Sequence, residues 1–164
     1  MKTAICPGSF DPVTLGHMDI ITRASKIFDK VIVAVLINPD KNPVFSVEER
    51  ISLLNRVLKG FDNIEVLSFD GLLADYAKHK GATVIVRGLR EVSDFEYEFQ
   101  MSLINRKLNP DLDTVFLTTS LENMYLSSSV VKDIARFNGD ISGFVPECIH
   151  EDIKERLCKG GINS

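Results

Sequence analysis

The sequence predicts an α/β protein: a doubly wound, five-stranded parallel sheet with helices on both faces. Three observations predict it. The runs at 30–37 (K-V-I-V-A-V-L-I) and 83–86 (T-V-I-V) are apolar without alternation, as strands covered on both faces are. Such runs alternate with stretches of helical periodicity, and a β-α-β order implies parallel strands joined by crossover helices. The first strand also runs through a turn rich in glycine and proline straight into a helix, a junction where unpaired amides point outward.

Taken in order, residues 3–6 are the first strand. From Leu15 the apolar residues Leu15, Met18, Ile21, Ala24 and Phe28 keep helical spacing. The strand at 30–37 ends in the loop N-P-D-K-N-P at 38–43. Ser46 opens S-V-E-E, a capping box, and its helix runs to about Lys59 before Gly60. Residues 64–69 are the third strand, and 71–80 a short helix closed by Gly81. The fourth strand, 83–86, is followed by a loop at 87–90 (R-G-L-R), then by a long helix over 92–108 that stops at Asn109-Pro110. The fifth strand spans 114–117, with a polar loop at 118–126 behind it. Ser127 and Ser128 cap a helix reaching about Phe137. After Gly139 and Gly143, a last helix at about 146–158 leaves a frayed tail. The alternation is Rossmann-like, and without linker or repeat it implies one domain over 1–164.

Composition narrows the function. The chain has 164 residues, enough for a sizeable core, with 45% hydrophobic and 26% charged residues. A net charge of −4 gives no global field for nucleic acid, so an anionic ligand must be held by local basic groups. The cysteines Cys6, Cys148 and Cys158 are odd in number and lack Cys-x-x-Cys spacing, which argues against a disulfide framework or a thiolate metal site. His17, His79 and His150 make no metal-ligand spacing. No signal peptide and no membrane-spanning run is visible, so the expected setting is the cytoplasm.

In such sheets ligands lie beyond the carboxyl ends of the strands, where strand order reverses. That rule nominates segments 7–17, 38–45, 68–73, 87–90 and 118–129. They carry Ser9 and His17, Lys41, Arg87 and Arg90, and Ser127, Ser128 and Ser129, with Lys132 one turn on. All donate hydrogen bonds or carry positive charge, the inventory for a polyphosphate at a helix N-terminus. Gly16 allows close approach of backbone to ligand. His17 reads either as a donor to a phosphoryl oxygen or as a helix-start residue with no ligand. On the long helix, Phe95, Phe99, Ser102 and Ile104 lie near one face, and Tyr97, Met101, Ile104 and Leu108 near an adjoining one. Either the helix is sunk in its own fold or part of it meets another subunit.

The segments G-S-F-D-P-V-T-L-G-H, N-P-D-K-N-P, E-E-R, V-I-V-R-G-L-R-E-V-S-D-F-E-Y-E and S-S-S-V-V-K, in this order over nearly the whole chain, closely resemble those of bacterial phosphopantetheine adenylyltransferases. T-x-G-H alone marks the wider nucleotidyltransferase superfamily; R-G-L-R with D-F-E-Y-E and S-S-S-x-V-K is far more specific. The resemblance implies reversible transfer of the adenylyl group of ATP to 4′-phosphopantetheine, giving dephospho-coenzyme A and pyrophosphate, the penultimate step of coenzyme A synthesis. It implies Mg²⁺, a cytoplasmic homohexamer of two trimers, and feedback inhibition by coenzyme A, with neither nucleic acid nor membrane as partner. It assigns His17 to transition-state stabilisation, and Lys41 and Arg87 to the phosphopantetheine phosphate. Ser9 would touch both substrates, and Leu73 the pantetheine. ATP would be bound by Ser9, Phe10, His17, Gly88, Leu89, Arg90 and Glu98, and by Asn123, Met124, Tyr125, Leu126, Ser127, Ser128 and Ser129. Metal ligands are not implied. Two positions depart from the family: Cys6 stands where tyrosine is common, and Asn123 where an aromatic is common.

Two rivals remain at this stage. A sister nucleotidyltransferase making a dinucleotide or a CDP-alcohol would share residues 9–17 without the D-F-E-Y-E and S-S-S-x-V-K context. A non-catalytic ATP-binding sensor would need neither His17 nor Lys41 and Arg87 converging on one site.

Overall fold

The computed structural model describes residues 1–38, 42–90 and 92–159. Lys41 and the tail from Gly160 lie outside the described residues. Five strands, β1 (Thr3–Gly8), β2 (Lys30–Leu36), β3 (Ile64–Phe69), β4 (Val84–Leu89) and β5 (Asp113–Thr118), form one parallel sheet in the order β3-β2-β1-β4-β5. The helices between and after them are α1 (Leu15–Ile27), α2 (Val47–Val57), α3 (Leu73–His79), α4 (Val92–Leu108), α5 (Ser128–Arg136) and α6 (His150–Lys159).

Side chains alternate across the sheet and build two cores. Ala4, Cys6, Val31, Val33, Val35 and Val86 pack with α1, α2, α5 and α6, through Ile21, Leu54, Val131 and Ile153 among others. Ile5, Ile32, Ala34 and Ile85 face the other way, with Ala74 and Ala77 of α3. Covering both faces is why the strands read as apolar without alternation. Among the described residues no helix is long and apolar enough to cross a membrane.

Three sequence expectations are corrected. The loop expected at 87–90 begins only after Leu89, because β5 pairs in register through Arg87↔Phe116, Gly88↔Leu117 and Leu89↔Thr118. A glycine can sit inside that strand because α1 lies against it: a Cβ at Gly88 would be 2.9 Å from Ile20 Cγ1. The last helix is broken: Glu147–Ile149 is a 3-10 turn, and α6 starts at His150. Helix α2 closes at Val57, short of Lys59, while its start holds, with Ser46 and Glu49 forming the capping box.

Of the two readings of the long helix, burial within its own fold fails. Phe95, Tyr97, Phe99, Leu103, Ile104 and Leu108 on α4 are all exposed.

Candidate active site

The chain lays down β1, β2 and β3 in one direction, then crosses to the other side of β1 for β4. Register makes this crossing an opening. β1 pairs with β2 over six residues, from Thr3↔Lys30 to Gly8↔Val35, but with β4 only at Ala4↔Val84 and Ile5↔Ile85. Beyond these two pairs the carboxyl ends of β1 and β4 part, and a cavity of about 320 Å³ occupies the gap. It is lined by Ser9 and Phe10 after β1, by Thr14, Gly16 and His17 at the start of α1, and by Arg87, Gly88 and Arg90 from β4 and its end. Asp94 and Glu98 of α4, together with Leu126, Ser127 and Ser128, complete the lining.

The start of α1 sets the chemistry of His17. Thr14 is its N-cap and accepts a hydrogen bond from His17 N at 3.3 Å through Oγ1. In return Thr14 N–H donates to His17 Nδ1 at 3.0 Å, with Thr14 Oγ1 also 3.1 Å from Nδ1. This is a capping box with histidine in the place usual for glutamate or glutamine. An Nδ1 that accepts a backbone N–H carries no proton, so in neutral imidazole the proton sits on Nε2. Burial pushes the His17 pKa down to about 4, and the charges of Arg90 and Arg87 push the same way. At neutral pH His17 is therefore an uncharged donor lining the cavity. Of the two readings of His17 left open by the sequence, the structure shows the helix cap, and the same residue lines the cavity.

Phe10 packs edge-on against the same ring, with centroids 5.0 Å apart. Its backbone is in the left-handed region, at φ 49°. The ring lies so close over Gly8 that a Cβ there would meet Phe10 Cζ at 2.9 Å. Gly8 and Phe10 thus turn the backbone at Ser9 toward the cavity.

The two arginines arrive already bound. Arg87 donates from Nε to Glu98 Oε2 at 2.8 Å and from Nη1 to Pro7 O at 2.7 Å, and its Nη2 bonds Glu98 Oε1. The fork fixes the plane of the guanidinium at the mouth between β1 and β4. Arg90 bonds Asp94 Oδ2 at 3.2 Å and Leu126 O at 3.0 Å. The sequence missed Asp94, although its spacing of four from Arg90 was visible.

Ser9 and Ser128 also wall a second cavity of about 440 Å³, lined further by Asp11, Arg50, Ser129 and Lys132. Arg50 is 3% exposed and donates to Ser9 O at 2.7 Å, to Leu36 O at 3.3 Å and to Ser46 O at 3.3 Å. Ser127 is the N-cap of α5, accepting from Val130 N at 3.1 Å, and Ser128 Oγ donates to Pro12 O at 2.7 Å. The sequence offered Arg50 only within the segment E-E-R and gave it no role. The available signal was an arginine at a core position of α2, beside Leu53 and Leu54.

Of the residues singled out beforehand, Ser9, Phe10, His17, Arg87, Gly88, Arg90, Glu98, Leu126, Ser127 and Ser128 meet at the first cavity, and Ser129 at the second. Leu89 ends β4 away from the lining and holds Thr119 N through its carbonyl at 2.9 Å. Leu73 packs on the core under α3. Asn123 donates to Ser120 Oγ at 2.9 Å and lies behind Gly16, 3.8 Å from the place of a Cβ there. Met124 and Tyr125 are exposed, and Tyr125 meets Phe144 edge-on. Cys6 lies in the cavity wall, and burial pushes its thiol up to about 12, so it is an uncharged wall residue.

Known proteins resemble this chain in sequence and in fold. Residues 5–134 match the model of a family described as cytidylyltransferase-like. A phosphopantetheine adenylyltransferase of Caldanaerobacter subterraneus subsp. tengcongensis is 58% identical over 97% of this chain and 99% of its own. Another, from Clostridium kluyveri, is 58% identical over 99% of each chain. A solved structure of a Plasmodium falciparum nicotinic acid mononucleotide adenylyltransferase, complexed with NaAD, superposes with a TM-score of 0.65 at 14% identity, over 99% of this chain and 97% of that one. At that identity the likeness is one of fold.

Proposed function

The chain belongs to the phosphopantetheine adenylyltransferases, within the cytidylyltransferase-like family, and we propose that it moves the adenylyl group of ATP reversibly to 4′-phosphopantetheine. The products are dephospho-coenzyme A and pyrophosphate, in the penultimate step of coenzyme A synthesis. The observation that carries the mechanism is the neutral His17, held with Nδ1 occupied and lining a cavity between two arginines.

The nucleophile is a phosphate oxygen of 4′-phosphopantetheine. It is anionic at neutral pH and needs no base to remove a proton. It forms a new bond to the α-phosphorus of ATP as the bond to the β-phosphate oxygen breaks, and pyrophosphate carries away the electron pair. The barrier lies in alignment and in the repulsion between two anions. Arg87 and Lys41 hold the acceptor phosphate, Arg87 through the N–H groups that Glu98 and Pro7 leave free. Arg90, Ser127, Ser128 and the amides opening α5 receive the nucleotide phosphates. His17 donates from Nε2 to the α-phosphoryl oxygen on which charge grows. A neutral donor suits this role, because it needs no titration at working pH.

Magnesium enters as the companion of ATP. Among the described residues no three His, Cys, Asp or Glu side chains cluster to hold a metal, and Asp94 and Glu98 are engaged by arginines. Bound with the triphosphate, the ion would screen its charge against the incoming phosphate. Coenzyme A is the product plus one phosphate, and as a product-like molecule it would compete for the site as a feedback inhibitor. The exposed apolar residues of α4 support assembly, in this reading as a homohexamer in the cytoplasm.

A coupled pyrophosphate-release assay tests the reaction. With ATP, 4′-phosphopantetheine gives turnover, and nicotinate mononucleotide or an alcohol phosphate does not. Turnover with another acceptor alone would assign the chain to a sister reaction, and ATP binding without turnover would make it a sensor.

A further inference from the structure

The buried acid in the first turn has no part in the mechanism above. Asp11 is 5% exposed, and its carboxylate meets three donors from two distant segments. Oδ1 accepts from Phe45 N at 2.9 Å. Oδ2 accepts from Val44 N at 3.1 Å and from Lys132 Nζ at 3.1 Å. We propose that Asp11 is a positioning residue for adenylyl transfer, one carboxylate that holds the turn after β1, the end of the loop after β2, and α5 in a fixed relation. This rests on the adenylyl-transfer reading.

Each joined segment carries part of the site. The turn after β1 presents Ser9 and leads to Thr14 and His17. Val44 and Phe45 follow Lys41 by three and four residues and anchor the far end of its loop. Helix α5 presents Ser128 at both cavities and Ser129 at the second. Two further bonds run alongside, Arg50 Nη1 to Ser9 O at 2.7 Å and Ser128 Oγ to Pro12 O at 2.7 Å, but neither reaches the loop at Val44. Among the described residues Asp11 alone spans all three.

The chemistry asks for a carboxylate. Both oxygens must accept, from different directions, and one must also balance a mostly buried ammonium. An amide at this place could still accept from Phe45 N, but its NH₂ would face the Val44 N–H and Lys132, donor against donor. Asp11 lines only the second cavity, so it acts through the segments it joins.

The test is Asp11→Asn in the full chain. A misplacement of about 1 Å at a reacting group costs on the order of 100-fold in rate, so kcat with 4′-phosphopantetheine falls by about that factor. ATP affinity by calorimetry falls by much less than kcat, and hydrogen exchange at the Val44 and Phe45 amides speeds up. Unchanged kcat per folded molecule with a lowered Tm would make Asp11 a stability residue only and overturn the proposal. In Asp11→Asn/Lys132→Met the loss matches that of Asp11→Asn, as members of one unit do; fully additive losses would overturn it too. If Asp11→Asn fails to fold, Lys132→Met must lower kcat and Lys132→Arg restore most of it, and equal rates for the two sink the idea. Wild-type inactivity toward 4′-phosphopantetheine refutes the reaction instead, and the exchange at Val44 and Phe45 still reports on the brace.

Discussion

An imidazole can accept or donate at either nitrogen, and Thr14 removes that choice at His17. His17→Ala therefore lowers kcat by about 10²–10³, on the order of 2.7–4 kcal/mol for one lost donor, while calorimetry still detects ATP. Near-normal turnover would take His17 out of the mechanism. The depressed pKa has a sign that equilibrium unfolding can check. Below the ordinary value of 6.5 the unfolded chain takes up a proton on His17, and the folded chain does so only near 4. Stability contributed by neutral His17 is thus present above 6.5 and drains away as pH falls toward 4. In His17→Asn the urea midpoint should lose that part of its slope between these pH values. Arg87→Ala should weaken 4′-phosphopantetheine more than ATP, and calorimetry showing equal losses would contradict its assignment. Ser9, His17, Arg87 and Arg90 were legible in the sequence because the ends of apolar strands point to them. The Thr14–His17 box was not, since the familiar signature ends in glutamate or glutamine. Nor was the Arg87–Glu98 fork, which depends on how α4 lies across β4.

At the scale of elements, strands buried on both faces were readable from unbroken apolar runs, and α2 from its capping box. The extension of β4 was hidden because arginine and glycine look like loop residues until β5 is beside them. Gly88 links the two levels. Its missing Cβ lets Ile20 of α1 sit against the strand just where α1 must present His17. Gly88→Ala forces a contact of 2.9 Å with Ile20 Cγ1, and overpacking of this kind costs about 1–3 kcal/mol. The urea midpoint measures it, and Ile20→Val, which shortens the offending side chain, should recover part of the loss.

Over the whole molecule, a parallel sheet nominated five strand ends before any motif was considered; the order β3-β2-β1-β4-β5 singles out the gap between β1 and β4, and the unequal pairing of β1 with its two neighbours gives that gap its volume. The apolar exposure of α4 could not be decided from its pattern, because a helix rich in Phe, Tyr and Leu reads alike whether its own fold or a second copy covers it. Leu103→Glu, at a position 55% exposed, should leave far-ultraviolet circular dichroism unchanged and shift sedimentation toward the monomer. An unshifted boundary would remove α4 from the assembly. The unequal pairing of β1 also bears on how the molecule is made. A ribosome releases β1, β2 and β3 before β4 exists, and this half-sheet ends on β1, with its outer amides and carbonyls bare. The nascent chain therefore carries a bare edge on β1, and the cavity between β1 and β4 forms only as the second half of the chain emerges.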